Sequence, residues 1–177
     1  MRIIAGKHRG RVLKEFKGRE IRPTADRAKE AIFNILQTEI PNSKFLDLYC
    51  GTGNMGIEAI SRSAGKVVMV DASKESVALA KANLEMIKES GDVVCSDALT
   101  YVLSTREKFD IIFLDPPYDV DATPVLKAIA QSGILDEEGV IIYEHSEDFK
   151  VEEIDCLDHL NTRKYGIAHF EFYGVKL

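Results

Sequence analysis

From residue 44 onward the chain alternates short apolar stretches with amphipathic ones, and this alternation restricts the possible folds more than any other feature of the sequence. The apolar stretches fall at about 44–49, 66–71, 92–95, 109–115 and 139–144, and they read as strands buried on both faces. Helical segments lie between them. Ser73 is placed to cap one that carries Val77, Ala80, Leu84 and Ile87 at helical spacing. Thr123-Pro124 opens another, with Pro in the first turn where its missing N–H costs nothing. Strand–helix alternation of this kind specifies an α/β fold with a parallel, doubly wound sheet. Residues 157–175 differ, because two β-rich stretches follow each other with no helix between them, so an antiparallel hairpin should finish the sheet.

Open parallel sheets bind ligands at the carboxyl ends of their strands, and here those ends are loaded with carboxylates. The first strand runs into Asp47-Leu48-Tyr49-Cys50-Gly51-Thr52-Gly53-Asn54-Met55-Gly56, the second ends at Asp71, Asp97 follows the third, and the fourth ends in Asp115-Pro116-Pro117-Tyr118. Gly51-x-Gly53-x-x-Gly56, with Asp71 20 residues beyond Gly51, matches the dinucleotide fingerprint. The glycine pattern alone does not decide between nucleoside cofactors, but charge does. Asp47 would repel a pyrophosphate beside the loop by about 4 kcal/mol at ~4 Å and an effective dielectric near 20. It favours a cationic cofactor instead, and S-adenosylmethionine carries both a sulfonium and an ammonium. In that reading Gly51 and Gly53 let the cofactor approach the backbone, Asp71 accepts from the ribose hydroxyls, and Asp97 accepts from the adenine amine. A helix cap is the plainer role for Asp97.

The tetrad Asp115-Pro116-Pro117-Tyr118 is the sharpest chemical signal. Two prolines after Ile111-Ile112-Phe113-Leu114 stop the strand and fix a rigid turn, so the Asp115 carboxylate and the Pro116 carbonyl become fixed acceptors. Tyr118 offers a flat face beside them. Such a socket suits a planar base with an exocyclic amine, and orienting that amine would carry most of the catalysis. Asp115 would then take the amine proton. His8, His145, His159 and His169 show no mutual metal spacing, and Cys50, Cys95 and Cys156 no zinc or disulfide pattern. Cys50 and Cys95, at apolar strand ends, read as small core residues, and Phe170, Phe172 and Tyr173 as core.

The net charge of −6 conceals an asymmetry. Residues 1–29 hold ten Lys and Arg against three acids, a charge of +7, which leaves the rest of the chain at −13. Within this arm, residues 1–6 and 11–16 read as a β-hairpin with charges at its tip, and residues 25–39 as an amphipathic helix ended by Pro41. The arm fits either a solvated surface or a phosphate-binding element on an acidic catalytic body. At 177 residues one core is expected. With no apolar run near 18 residues and no apolar leader, the expected setting is the cytoplasm, with no membrane and no metal.

The residues together resemble the RsmD family of S-adenosylmethionine-dependent methyltransferases, which modify the N2 amine of a guanine in 16S ribosomal RNA. The likeness runs through Arg2-Ile3-Ile4-Ala5-Gly6, Arg9-Gly10-Arg11, Ile21-Arg22-Pro23-Thr24, Asp26-Arg27 and Glu30-Ala31-Ile32-Phe33-Asn34-Ile35-Leu36. It continues through the glycine loop, Ile57-Glu58-Ala59-Ile60-Ser61-Arg62, Phe109-Asp110 and the tetrad. Cys50 and Asn54-Met55 stand where the family's loop carries smaller or plainer residues. The resemblance implies a seven-stranded Rossmann-like class I methyltransferase sheet whose last strand is antiparallel. It also implies an RNA-binding extension over residues 1–40 ahead of a methyltransferase domain over 41–177. On this reading Asp115, Pro116 and Tyr118 are catalytic, and Asp47, Gly51, Gly53, Asp71 and Asp97 hold the cofactor. Arg2, Lys7, Arg9, Arg11 and Arg22 contact RNA, and the protein acts as a monomer on 16S rRNA or the small ribosomal subunit. Adenine-N6 methylation of RNA or DNA is the competing chemistry, and a non-catalytic nucleic-acid-binding protein the competing class.

Overall fold

The computed structural model describes residues 1–17, 23–146 and 153–176. Its centre is a seven-stranded sheet built from β1 (Lys44–Leu48), β2 (Lys66–Asp71), β3 (Asp92–Cys95), β4 (Phe109–Leu114), β5 (Leu135–Ser146), β6 (Leu157–Tyr165) and β7 (Ala168–Val175). The spatial order is β3-β2-β1-β4-β5-β7-β6. β1 to β5 are parallel, while β7 enters antiparallel between β5 and β6. This is the fold of the class I S-adenosylmethionine methyltransferases. The order reverses beside β1, which puts the switch point, and the crevice it opens, at the carboxyl ends of β1 and β4.

Five helices cover the sheet: α1 (Pro23–Ile35), α2 (Asn54–Ser61), α3 (Lys74–Ile87), α4 (Ala98–Ser104) and α5 (Thr123–Ser132). Because side chains alternate along a strand, the core divides into two layers. Phe45, Met69, Ile111, Phe113, Ile142 and Phe170 face α1, α2, α3 and the N-terminal segment. Leu46, Val70, Ile112, Leu114, Ile141 and Tyr143 face α4 and α5. Ser73 caps α3 by accepting from the Ser76 N–H, and Pro124 sits in the first turn of α5.

The N-terminal segment is not a free arm. Ile3, Leu13, Ala28, Ile32, Phe33 and Leu36 all belong to the first core layer. The expected hairpin reduces to one antiparallel bridge, Arg2 with Val12. Beside it the Ile3 N–H donates to the Arg11 carbonyl at 2.9 Å and the Leu13 N–H to the Met1 carbonyl at 3.0 Å, while the Ile4 and Ala5 N–H groups donate to the Glu58 carboxylate at 2.9 and 3.0 Å. α1 ends at Ile35, short of the expected residue 39, and a turn over residues 36–40 carries the chain to Pro41. β5 begins at Leu135 rather than about 139, with a register irregularity opposite Phe109 and Ile111. Cys95 is exposed, not a core residue, whereas Cys50 is buried as expected.

Candidate active site

The register of the sheet brings the strand-end carboxylates onto one face. Asp47 pairs with Phe113 and Met69 in the first core layer. By alternation Asp71 and Asp115, each two residues beyond one of those partners, share that face. Glu144 joins them, since Leu114 pairs with Tyr143 and the next positions along β4 and β5 are Asp115 and Glu144. No ion pair engages Asp47, Asp71, Asp115 or Glu144 among the described residues.

The glycine loop is shaped by backbone donors that end on two of these carboxylates. After β1, Tyr49 takes a left-handed conformation (φ 62°), and the Cys50 N–H donates to the Val70 carbonyl at 3.0 Å. Gly51 follows at φ 55°, its N–H donating to Asp71 Oδ2 at 2.9 Å, and a Cβ there would meet open space. Gly53 at φ 80° is the N-cap of α2. Gly56 serves packing: a Cβ on it would lie 2.6 Å from Met69 Cγ, so α2 can lie this close to β2 only without one. Asp71 also accepts the Ser73 N–H on Oδ1 at 2.8 Å and so ties the first two loops together. Each of its oxygens retains a further lone pair for a hydroxyl donor.

Asp47 is 1% exposed, and its Oδ2 accepts the Gly56 N–H at 2.9 Å. Burial pushes its carboxyl up to about 8 against the opposing Gly56 hydrogen bond, with the charges of Asp115 and Asp71 adding to the rise. Asp115 is exposed at the end of β4, yet desolvation of its carboxyl raises it too, to about 7. Burial and then the charge of Asp115 raise Glu144 to about 9. Carboxylates that repel one another in this way are relieved by a cation, so the donor set fits a cofactor bearing positive charge and does not fit a pyrophosphate.

Beyond β4 the Pro117 carbonyl accepts the Val120 N–H at 2.9 Å, a turn that leaves Tyr118 65% exposed at its corner. Asp97 is the N-cap of α4, accepting the Thr100 N–H at 3.1 Å, and remains exposed at the end of β3.

The basic segment docks by its own charges. Lys7 and His8 both reach Glu89 beyond α3, and Arg11 Nη1 donates to the Met86 carbonyl at 3.2 Å. Arg9 is exposed, Arg2 lies 3.9 Å from Asp26, and Arg22 falls outside the described residues. Lys29, counted in the sequence with the surface charges, is instead 3% exposed. Its Nζ donates to the Arg2 carbonyl at 2.6 Å and to Asn54 Oδ1 at 2.7 Å, and lies 3.3 Å from Glu58 Oε2. Glu58, fully buried, also takes Arg62 Nε at 2.9 Å. Lys29, Asn54 and Glu58 therefore bolt the N-terminal segment to the first turns of the helix that follows the glycine loop.

Sequence reasoning missed this bolt and Glu144. The acid that ends the apolar stretch at 139–144 was the available signal for Glu144. Three of the histidines have hydrogen-bond partners: His8 bonds Glu89 at 2.7 Å, and His145 and His159 bond the buried Glu171 at 3.0 and 2.6 Å. Phe170, Phe172 and Tyr173 are core.

Comparison with known proteins gives a consistent result. The family profile described as Conserved hypothetical protein 95 matches residues 1–174. Ribosomal RNA small subunit methyltransferase D of Haemophilus influenzae is 32% identical, over 98% of this chain and 93% of that protein. The solved yhhF structure from Escherichia coli superposes with a TM-score of 0.89 at 27% identity, covering 99% of this chain and 98% of that one. The Thermus thermophilus 16S rRNA N2 G1207 methyltransferase RsmC, solved with AdoMet and guanosine, covers 91% of this chain and 45% of its own. With a TM-score of 0.72 and 21% identity, that likeness is one of fold.

Proposed function

The chain belongs to the Conserved hypothetical protein 95 family, the family of the RsmD-type rRNA methyltransferases, and we propose that it methylates the N2 amine of a guanine in 16S ribosomal RNA with S-adenosylmethionine as donor. The observation that carries this reading is the convergence of Asp47, Asp71 and Asp115 on one sheet face, beside a glycine loop and a rigid Asp-Pro-Pro-Tyr turn. S-adenosylmethionine, when bound, supplies a methyl group on a sulfonium. Asp71 would hold its ribose, the Gly51–Gly53 backbone would give it room, and Asp97 would accept from its adenine amine with lone pairs that its cap leaves over. Asp47, left without a cation by the protein, gains one.

On the substrate side, Asp115 and the Pro116 carbonyl accept the two amine hydrogens while Tyr118 stacks on the ring. An amine nitrogen delocalised into a base is a poor nucleophile. Drawing its hydrogens onto two fixed acceptors pulls it toward tetrahedral geometry and exposes its lone pair, so the socket acts mainly by orientation. As the nitrogen gains charge, Asp115 takes its proton. Arg2, Lys7, Arg9, Arg11 and Arg22 hold the RNA phosphates while the base is extruded, at a few kcal/mol, into the socket. The name of the Haemophilus influenzae relative and the tetrad's fit to an amine-bearing base support rRNA as the substrate.

Labelled S-adenosylmethionine offered with naked 16S rRNA, small-subunit particles and duplex DNA, followed by identification of the methylated nucleoside, tests the assignment. N2-methylguanosine from RNA or particles is the expected product. N6-methyladenosine, or label in DNA alone, overturns it.

A further inference from the structure

Among the carboxylates at the sheet's carboxyl end, Glu144 is the one for which the proposed chemistry has no use. It lies on β5, one step beyond the Leu114–Tyr143 pair, and so stands beside Asp115 on the adjacent parallel strand. Adjacent strands run ~4.8 Å apart, much the same as the span from the amine to the carbonyl along a guanine's pairing edge. Alternation turns Glu144 to the same face as Asp115, the face of Ile142, while Tyr143 and His145 point to the other. Its backbone is fixed by pairing on both sides, to β4 through Tyr143 and to Phe170 of β7, so the side chain is presented from a rigid element.

We infer that Glu144 is a specificity-determining residue that reads the lactam edge of guanine, one carboxyl oxygen accepting from N1–H while the other donates to O6. This rests on the guanine-N2 reading above and adds to it the contact that distinguishes the base. With the amine held by Asp115 and Pro116, the next atoms along a guanine edge are a donor and then an acceptor, which a protonated carboxyl matches in a cyclic pair. Adenine with its amine in the same place presents a bare ring nitrogen and then C–H, which leaves the second carboxyl oxygen without a partner. Burial and then the charge of Asp115 raise the Glu144 carboxyl above its ordinary value, which favours the protonated form that this pairing uses.

The test uses the full chain. Once the labelled-methyl assay has located the modified guanine, RNA carrying guanine or 2-aminopurine at that position is offered to wild type, Glu144→Gln and Glu144→Ala. 2-Aminopurine keeps the reacting amine but lacks N1–H and O6. Wild type should prefer guanine by at least ~100-fold in kcat/KM, since sites whose buried polar groups would be left unpaired reject analogues by up to ~10⁴–10⁵-fold. Glu144→Ala should lose most of that preference by slowing guanine alone, with cofactor affinity unchanged. Glu144→Gln, which accepts and donates at the same positions, should restore it to within about tenfold. Equal slowing on both bases, an undiminished preference in Glu144→Ala, or a wild type indifferent to the two bases overturns the inference. Absence of any guanine product in the preceding assay overturns instead the guanine-N2 reading on which it rests.

Discussion

Lys29 and Glu58 form an ion pair sealed from water, Nζ to Oε2 at 3.3 Å with side chains 2% and 0% exposed, and it joins the helix of the basic segment to the helix that follows the glycine loop. Glu58 simultaneously accepts two backbone N–H groups of that segment, so its carboxylate has more partners than a simple ion pair supplies. Burial lowers the Lys29 pKa, and Glu58 opposes that fall.

Removing one member strands the others. Glu58→Ala leaves Lys29 as an uncompensated buried cation and two N–H groups without acceptors, and should cost about 3–5 kcal/mol of folding free energy. Urea unfolding of the variant measures this. A loss under about 1 kcal/mol would mean that water replaces the carboxylate and that the bolt is not structural.

Asp47 ties stability to pH with an inverted sign. Its folded carboxyl is raised to about 8, so between pH 4 and 8 the unfolded chain releases a proton that the folded chain keeps. Its contribution therefore falls as pH rises across that window. Asp47→Asn removes the titration while still accepting from Gly56. In the absence of cofactor the variant should match wild type near pH 4 and exceed it in stability at pH 8, yet bind S-adenosylmethionine at least tenfold more weakly. Chemical denaturation at both pH values and calorimetric titration check the two halves.

Asp115 must be ionised to accept a proton. Because burial raises it to about 7, kcat/KM for methyl transfer should climb with pH up to that region and then level off. Asp115→Asn should lower kcat by ~10²–10⁴-fold with cofactor affinity retained. A flat pH profile, or unchanged methylation in the variant, removes Asp115 from the chemistry.

Arg9 is exposed, and its segment is anchored by neighbours on both sides. Arg9→Glu should weaken RNA binding and reduce the slope of log K against log salt by about one or two phosphates' worth, leaving cofactor affinity intact. Filter binding at several salt concentrations reads both numbers. Parallel loss of cofactor binding would show that the segment acts through the glycine loop instead.

The sheet was legible because its parallel strands are apolar runs bounded by stop signals, such as the glycine loop after β1, the Ser73 cap after β2 and Pro116-Pro117 after β4. So was the placement of Asp47, Asp71 and Asp115, each at or just past the end of its own strand and gathered around the glycine loop. Lys29 was not. In sequence it is one of ten positive charges, and only folding brings it to Glu58, Asn54 and the Arg2 carbonyl. The same holds for Glu58 itself, which takes the Ile4 and Ala5 N–H groups from 54 and 53 residues away. Glu144 escaped notice because its meaning lies in the neighbour that β4 supplies, a cross-strand relation that no spacing along the chain encodes. His145, its successor, turns to the opposite side and bonds Glu171.

The insertion of β7 between β5 and β6 has a consequence for how the molecule is made. β5 keeps one open edge, with Ile141, Ile142 and Tyr143 along it, until β7 arrives to pair with them. β7 and β6 are joined by a short turn and form a local hairpin, which closes in ~1–10 μs once both strands exist. A chain still being synthesised thus carries an unpaired apolar strand until β7 has been added, the interval in which it is most open to sticking to a second copy. The same late hairpin sets Phe170 beside Glu144. The flank of β5 that carries Glu144 is therefore closed only once β7 has paired with it.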